Sequence, residues 1–406
     1  MYNLLALGVV VVAQIVINVF IGNRYGVEDL GKYSYAFNIY SILVVANLLG
    51  MKEGSTKYIA ESGDLKNKNA NTIDKIMYIT PWLFIFSLML CFLLILSIAL
   101  GLNAKTYLLY ILPALPLFTI NEVFSGVYNG LREMKRYAAI RSLRWVFITL
   151  FIVANQLFFG ENINAVLLSF FISELILFML NSVSFGHRFG YRRVTFNLKE
   201  ISYIVKFGLK TVVGQILNQL DARIPLIIIG AYLTNRDLGL YGYAVTFSYG
   251  LVYVPSIVGL SFSPIISNLW ENDKRKLKVY LDRIKGVLTL STLLFAVVLG
   301  AAYPIFVKII MKNTDYLETF PIFYVLLIGF IAVSIISPYS RFFSMIGKPE
   351  ETLKIRAVAL SINIFMSIVL IQKSGLLGAA IATTLNNLIF VAMFEHRFRK
   401  VLINSM

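Results

Sequence analysis

Apolar residues run along this chain in long blocks separated by short polar or basic segments. A membrane-spanning helix needs about 20 consecutive, mostly apolar residues. Twelve stretches meet that requirement, at about residues 3 to 22, 33 to 51, 76 to 100, 107 to 129, 138 to 159, 164 to 185, 208 to 232, 240 to 268, 286 to 307, 319 to 340, 355 to 372 and 376 to 394. The blocks are organised by an internal duplication. The segment Gly26-Val27-Glu28-Asp29-Leu30-Gly31-Lys32-Tyr33-Ser34-Tyr35-Ala36 returns as Thr234-Asn235-Arg236-Asp237-Leu238-Gly239-Leu240-Tyr241-Gly242-Tyr243-Ala244, and Gly22 returns as Gly230 at the same offset of 208 positions. That offset is about half the chain, so the repeat unit is a lobe rather than a small motif.

The position of the repeat between the first two spans of each half predicts a turn on the exterior face. Glycine permits a tight turn, aspartate can cap the helix that follows, and the tyrosine pair suits the aromatic belt of a membrane interface. A structural turn explains these residues better than contact with a substrate.

Composition agrees with a membrane setting. Hydrophobic residues make up 58% of the chain and charged residues only 14%, against roughly 25% charged in soluble domains. The 37 Lys and Arg exceed the 21 Asp and Glu, but they fall between apolar blocks rather than on one basic domain, which argues against nucleic acid as a partner. Of the 37, 29 lie on one side of the twelve spans and 7 on the other, and Arg223 lies inside a span. The positive-inside rule then puts both termini in the cytoplasm. The first apolar block begins almost at Met1 without a basic leader or cleavage site, so it reads as a retained span. Cys91, the single cysteine, excludes a disulfide framework within the chain.

The expected fold is therefore an all-α membrane protein with twelve transmembrane helices in two parallel-repeat six-helix lobes. The boundaries are an N-lobe at 1–185, a cytoplasmic linker at 186–207 rich in basic residues, and a C-lobe at 208–406. Six helices per lobe is an even number, so both lobes enter from the same side and are related by an axis along the membrane normal. The location is the cytoplasmic (inner) cell membrane.

Polar residues inside the spans are the candidates for function, because an ionisable group there is costly and faces a partner or a wet cavity. Gln215, Asn218 and Asp221 share a face of the seventh span at spacings of three. Asp221 is either a coupling group for H⁺ or Na⁺ or the acidic half of a buried ion pair. Glu122, Ser125 and Asn129 form a polar stripe on the fourth span, and Glu174 and Asn181 lie a heptad apart on the sixth. Thr246, Tyr249, Tyr253 and Ser256 make a stripe that fits either a sugar path or ordinary helix packing. Arg141 and Arg144, three residues apart, fit a phosphate-binding pair as well as they fit topology-setting charges near lipid headgroups. Lys52, Lys57, Arg341, Lys348 and Arg356 also cluster near the cytoplasmic ends of spans.

No P-loop, dinucleotide-binding fingerprint or metalloprotease helix occurs, and His187 and His396 lie outside any acidic cluster. These observations count against an ATP-driven pump and a metal-dependent membrane enzyme.

The segment Gly26 to Ser34 with Lys57-Tyr58-Ile59-Ala60-Glu61, and the later Asn218-Gln219-Leu220-Asp221-Ala222-Arg223, Ile229-Gly230 and Asp237-Leu238-Gly239-Leu240-Tyr241, resemble the two lobe starts of the Wzx-type polysaccharide flippases. These belong to the multidrug/oligosaccharidyl-lipid/polysaccharide exporter superfamily. The resemblance covers essentially the whole chain, though members usually begin with a short polar segment before the first span. It implies a non-enzymatic flippase for a polyprenyl-diphosphate-linked oligosaccharide, working among membrane lipids and alongside a glycan polymerase or glycosyltransferases. Under that reading Arg24, Arg141, Arg144 and Arg223, with Tyr249 and Tyr253, are the candidates for diphosphate and cavity contacts. Asp221, Glu122, Glu174 and Asn218 are the candidates for ion coupling; no cofactor is implied beyond a transported Na⁺ or H⁺. Two other readings compete. A multidrug antiporter of the same superfamily would favour acidic over basic cavity walls, and a membrane glycan polymerase would need a larger exterior loop than this chain has.

Overall fold

The computed structural model describes residues 2–61, 69–100, 105–189 and 198–403, and the described residues are helical with no strand among them. The helices are α1 (Tyr2–Arg24), α2 (Gly26–Asn47), α3 (Met51–Glu61), α4 (Asn69–Ala99), α5 (Ala114–Gly130), α6 (Met134–Phe159), α7 (Ile163–Phe189), α8 (Leu198–Tyr232), α9 (Asn235–Asn272), α10 (Lys274–Ile310), α11 (Thr319–Ile336), α12 (Phe342–Met345) and α13 (Pro349–Ile403). Of the linker expected at 186–207, residues 190–197 lie outside the described residues, and so does the side chain of Ser256.

The twelve apolar stretches lie mostly on helices: 33–51 runs from α2 across a break into α3, 107–129 takes in a 3-10 segment before α5, 319–340 runs past the end of α11, and the last two share α13. At about 1.5 Å per residue, 55 helical residues would extend about 80 Å, far beyond a hydrocarbon core of about 30 Å. Helix α13 is broken at Gly375, whose φ of 55° and ψ of −131° are non-helical. Only glycine enters that region at little cost, so one residue divides a 55-residue helix into two. Among the described residues, eight helices are long and apolar enough to cross a membrane, or nine when α2 and α3, bent by 43° at their junction, count together. The protein is thus a multi-pass membrane protein.

The chain divides into two compact units, one formed by residues 1–20 and 32–219 and the other by residues 21–31 and 220–406. In the first, Met51, Ile59, Ile76, Val123, Val127 and Phe185 belong to a core shared by α3, α4, α5 and α7. In the second, a core of Leu277, Leu281, Phe342, Phe343, Phe394 and Phe398 joins α10, α12 and α13.

The repeated motif differs from its predicted role as an exterior turn. Gly31 and Gly239 lie inside helices, one turn or more past the N-terminus of α2 and α9. A Cβ on Gly31 would stand 1.7 Å from the carbonyl oxygen of Asn235, and one on Gly239 would stand 2.1 Å from that of Val27. The two glycines therefore let the N-terminal turns of α2 and α9 touch backbone to backbone, so residues 26–31 of the first copy pack against the second copy within the second unit. The aspartate does serve helix capping, from inside the helix. Thr234 is the N-cap of α9, and Asp237, at N3, closes a capping box with it. Three of the four tyrosines are not placed as an interfacial belt either, and Tyr35 is half-buried. Tyr33, Tyr241 and Tyr243 are buried, and Tyr243 packs on Tyr316 and Phe247 with centroids 4.8 Å apart in each case.

Candidate functional sites

In the first unit, four ionisable side chains from four helices meet in the interior. Glu122 lies on α5, Arg144 on α6, Glu174 on α7 and Lys52 on α3. Arg144 Nη1 donates to Glu122 Oε1 at 2.5 Å. Its Nε faces Glu174 Oε1 at 2.5 Å as a charge contact rather than an aligned hydrogen bond, and its Nη2 donates to Glu174 Oε2 at 3.4 Å. Lys52 Nζ donates to the other oxygen of Glu122 at 2.6 Å. Two amides extend the network: Asn121 Nδ2 donates to Glu174 Oε2 at 2.8 Å, and Asn181 Nδ2 donates to Asn121 Oδ1 at 2.9 Å. The Arg144 guanidinium also lies over the Phe118 ring, 4.1 Å from its centroid.

Two cations and two carboxylates give this cluster zero net charge. That balance matters because an uncompensated charge in a low-dielectric interior is strongly destabilising, whereas a paired and hydrogen-bonded one is tolerated. The structure thus brings Glu122, Glu174 and Arg144 together, although sequence reasoning assigned the first two to ion coupling and the third to phosphate. It also separates Arg144 from Arg141, which is exposed on the same helix. Arg24, the last residue of α1, is exposed, as is Asn218 on α8. Lys52 was visible in the sequence as a basic residue near a span end. Asn121 gave no signal apart from its place beside Glu122.

The second unit holds a different arrangement. Asp221 on α8 meets both halves of α13. Asn386 Nδ2 donates to Asp221 Oδ1 at 2.9 Å, and Asn363 Nδ2 donates to the same oxygen at 3.2 Å. Ser367 Oγ donates to Asn363 Oδ1 at 3.1 Å, while Arg356 Nη1 stands 3.8 Å from Asp221 Oδ2. Gly375 matters here, since the break it makes returns the second half of α13 so that Asn363 and Asn386 reach one carboxylate. Asn363 and Ser367, four residues apart on an apolar helix, were the signal that the sequence reading passed over.

Tyr249 of α9 lies within electrostatic reach of Arg223, Arg356 and Asp221, and Tyr253 within reach of Arg223. The two tyrosine rings meet edge to face with centroids 5.3 Å apart, and Tyr249 remains 38% exposed. Thr246, from the same stripe, donates its hydroxyl to the Gly242 carbonyl at 2.8 Å and so serves its own helix. This second cluster brings two guanidiniums and a carboxylate close to aromatic and hydroxyl groups. It can hold an anion near the arginines or a small cation at the Asp221 oxygens. Among the described residues, no three His, Cys, Asp or Glu side chains gather as a metal-binding group.

The helical architecture is shared with solved membrane proteins. It is similar over 97% of its length to an inward-facing multidrug resistance MATE family transporter of the MOP superfamily, with a TM-score of 0.82 at 12% identity and 94% of that chain covered. It is also similar to lipid II flippase MurJ in an inward closed conformation, with a TM-score of 0.75 at 18% identity, covering 99% of this chain and 90% of that one. At these identities the likeness is one of fold. Residues 1–270 match the model of the family described as polysaccharide biosynthesis protein, and the chain belongs to that family. Among curated proteins it is 24% identical over 297 residues to a probable flippase, AglR, of Haloferax volcanii, covering 66% of this chain and 57% of that protein. It is 23% identical over 403 residues to an uncharacterized membrane protein of Methanocaldococcus jannaschii, covering 90% and 76% of the two chains.

Proposed function

We propose that this protein flips a polyprenyl-diphosphate-linked oligosaccharide from the cytoplasmic to the outer leaflet by alternating access, with both termini cytoplasmic and twelve crossings in two lobes. The observation that carries the reading is the meeting of cationic and aromatic groups at Tyr249: Arg223 and Arg356 both lie within its electrostatic reach, and Arg356 also stands 3.8 Å from Asp221 Oδ2. A diphosphate needs cationic hydrogen-bond donors to offset its charge during transit, and the planar guanidinium fork suits it. Tyr249 and Tyr253 add aromatic faces and hydroxyls of the kind sugars use. Guanidiniums suit an anionic head better than a cationic drug, which favours the flippase over a multidrug antiporter.

Direction comes from an ion gradient. Asp221, Asn363, Ser367 and Asn386 supply a compact set of oxygens for Na⁺, or a carboxylate for H⁺, once the amides turn their carbonyls inward and Arg356 moves to the phosphate. Competition between the ion and Arg356 for Asp221 would then couple ion release to substrate binding. The test is transport of a fluorescent polyprenyl-diphosphate oligosaccharide in proteoliposomes. Arg223→Gln with Arg356→Gln is expected to reduce flipping at least tenfold while the protein still inserts, and undiminished flipping would overturn the assignment.

A further inference from the structure

An apolar groove with a volume of about 570 Å³ runs between α1 and α6 of the first unit, lined by Gly8, Val12 and Val16 on one side and Val146, Thr149 and Leu150 on the other. Its α1 wall extends from Leu4 to Val16, about 18 Å at the helical rise, or more than half of the hydrocarbon core. The walls offer almost no polarity. The hydroxyl of Thr149 donates to the Trp145 carbonyl at 2.8 Å and so turns back into its own helix. Gly8 forms part of the floor, and a Cβ built there meets nothing within 4 Å.

One end of the groove is polar. Asn3, just before the α1 wall, donates to the sulfur of Met134 at 3.6 Å, which holds the N-terminal ends of α1 and α6 together. The next residue, Lys135, is exposed. It precedes Val146 by 11 residues, which puts it within about 20° of the groove face on α6. The groove therefore has the polarity of an amphiphile, with a long apolar trough and a cation with an amide at one end.

We infer that this groove seats the isoprenoid tail of the lipid carrier, with the phosphate end toward Lys135 and Asn3. The inference rests on the flippase reading above. Lipid tails are as apolar as leucine, so the hydrophobic effect cannot select one chain from the bilayer, and selection must come from packing and from the head. Gly8 and Ala13 alternate with the β-branched Val9, Val12 and Val16, leaving notches between side-chain ridges. An isoprenoid carries a methyl branch on every fourth backbone carbon, roughly once per helix turn of about 5.4 Å, and those branches fill notches that a straight acyl chain leaves empty. Lys135 complements the charge of the diphosphate.

The test is photolabelling of the full-length protein in nanodiscs with a polyprenyl diphosphate carrying a diazirine in its tail, mapped by mass spectrometry. Label is expected on residues 4–16 and 146–150, displaced by unlabelled polyprenyl diphosphate but not by excess phosphatidylglycerol. Gly8→Trp, which fills the floor, is expected to lower that label at least tenfold. Lys135→Gln, at an exposed position, is expected to lower labelling by the diphosphate but not by the matching polyprenol, so the inference stays testable if Gly8→Trp does not fold. Equal displacement by phosphatidylglycerol, or label unaffected by both substitutions, would overturn it. The two readings fail separately. Flipping of the glycan lipid without groove label removes the groove alone, and groove label without flipping removes the flippase.

Discussion

If the charge cluster of the first unit is held by neutrality, then removing one charge should cost far more than removing a matched pair. Arg144→Leu leaves Glu122 and Glu174 facing only Lys52, and Glu174 then has no cation within the contacts described above. At an effective dielectric constant of about 20, each close ion pair lost is worth about 4 kcal/mol of attraction. The desolvation already imposed on both carboxylates is not recovered unless they take up protons. Breaking a buried pair from one side costs about 3–5 kcal/mol, and that is the expected loss for Arg144→Leu. Adding Glu174→Gln removes the stranded charge, keeps an acceptor for Asn121, and leaves Lys52 and Glu122 as a 2.6 Å pair. The double variant should therefore be more stable than Arg144→Leu alone by roughly 2 kcal/mol or more, a coupling in the range expected for residues in one network. Graded SDS unfolding of the purified protein, followed by circular dichroism, measures both. The export assay then divides the roles: a stable double variant that still flips substrate makes Arg144 architectural, while one that folds but cannot flip restores it as a phosphate contact. A single Arg144→Leu variant as stable as the parent, or purely additive losses in the double, would refute the reasoning.

Gly239→Ala and Gly31→Ala should each destabilise the second unit by at least the 1–3 kcal/mol typical of overpacking, because the new methyl meets backbone oxygen rather than a yielding side chain; the same SDS titration reads this, and Gly286→Ala, where a Cβ meets nothing within 4 Å, is the neutral control. Asp221→Asn should remove the dependence of flipping on the imposed pH or Na⁺ gradient while downhill exchange continues, and a gradient response equal to that of the parent would reject coupling there. Asp273 caps α10 by accepting from the Lys276 N–H at 2.9 Å, which holds its carboxyl below the usual 3.8. Its folded value is depressed, so its contribution is complete above the unfolded value and is lost as pH falls through the folded one; the protection of the Lys276 amide relative to its intrinsic exchange rate should fall there, and in Asp273→Ala that protection should be low at every pH.

Helix positions were legible because a span leaves a signal twenty residues long, and the apolar blocks accordingly lie mostly on helices. The family was legible for a related reason, since the lobe starts carry enough fixed residues to be recognised. What single positions do was harder to read. Gly31 and Gly239 looked like turn residues because glycine has two uses, freedom at positive φ and absence of a side chain, and nothing local distinguishes them. Only the carbonyls of Asn235 and Val27, distant in sequence from their partners, decide for the second use. Glu122 and Glu174 were found as costly groups, but their partner Arg144 was assigned to phosphate because pairing is a fact about three helices at once. Asn363 was missed because an amide in an apolar helix is a weak signal until Asp221 is placed against it.

The duplication makes a sharper point about the first helix of each half. At the offset of 208 that relates the two motifs, Asp221 and Arg223 correspond to Ala13 and Ile15 of α1. Ala13 lines the apolar groove, and so do Val12 and Val16, the counterparts of Leu220 and Ile224. The same helical position thus carries a hydrogen-bonded carboxylate in one copy and a small apolar wall in the other. An amphiphilic substrate with a charged head and a hydrocarbon tail presents two different recognition problems, and a single helix face cannot solve both because a buried charge and a lipid groove demand opposite solvation. After duplication each copy is free to solve one, so the divergence at this register is what selection for an amphiphile would leave. If that is right, Ala13→Asp should abolish isoprenoid labelling of the α1–α6 groove without creating a second gradient-sensing site, because the amides that support Asp221 come from α13 and have no part in the α1–α6 groove.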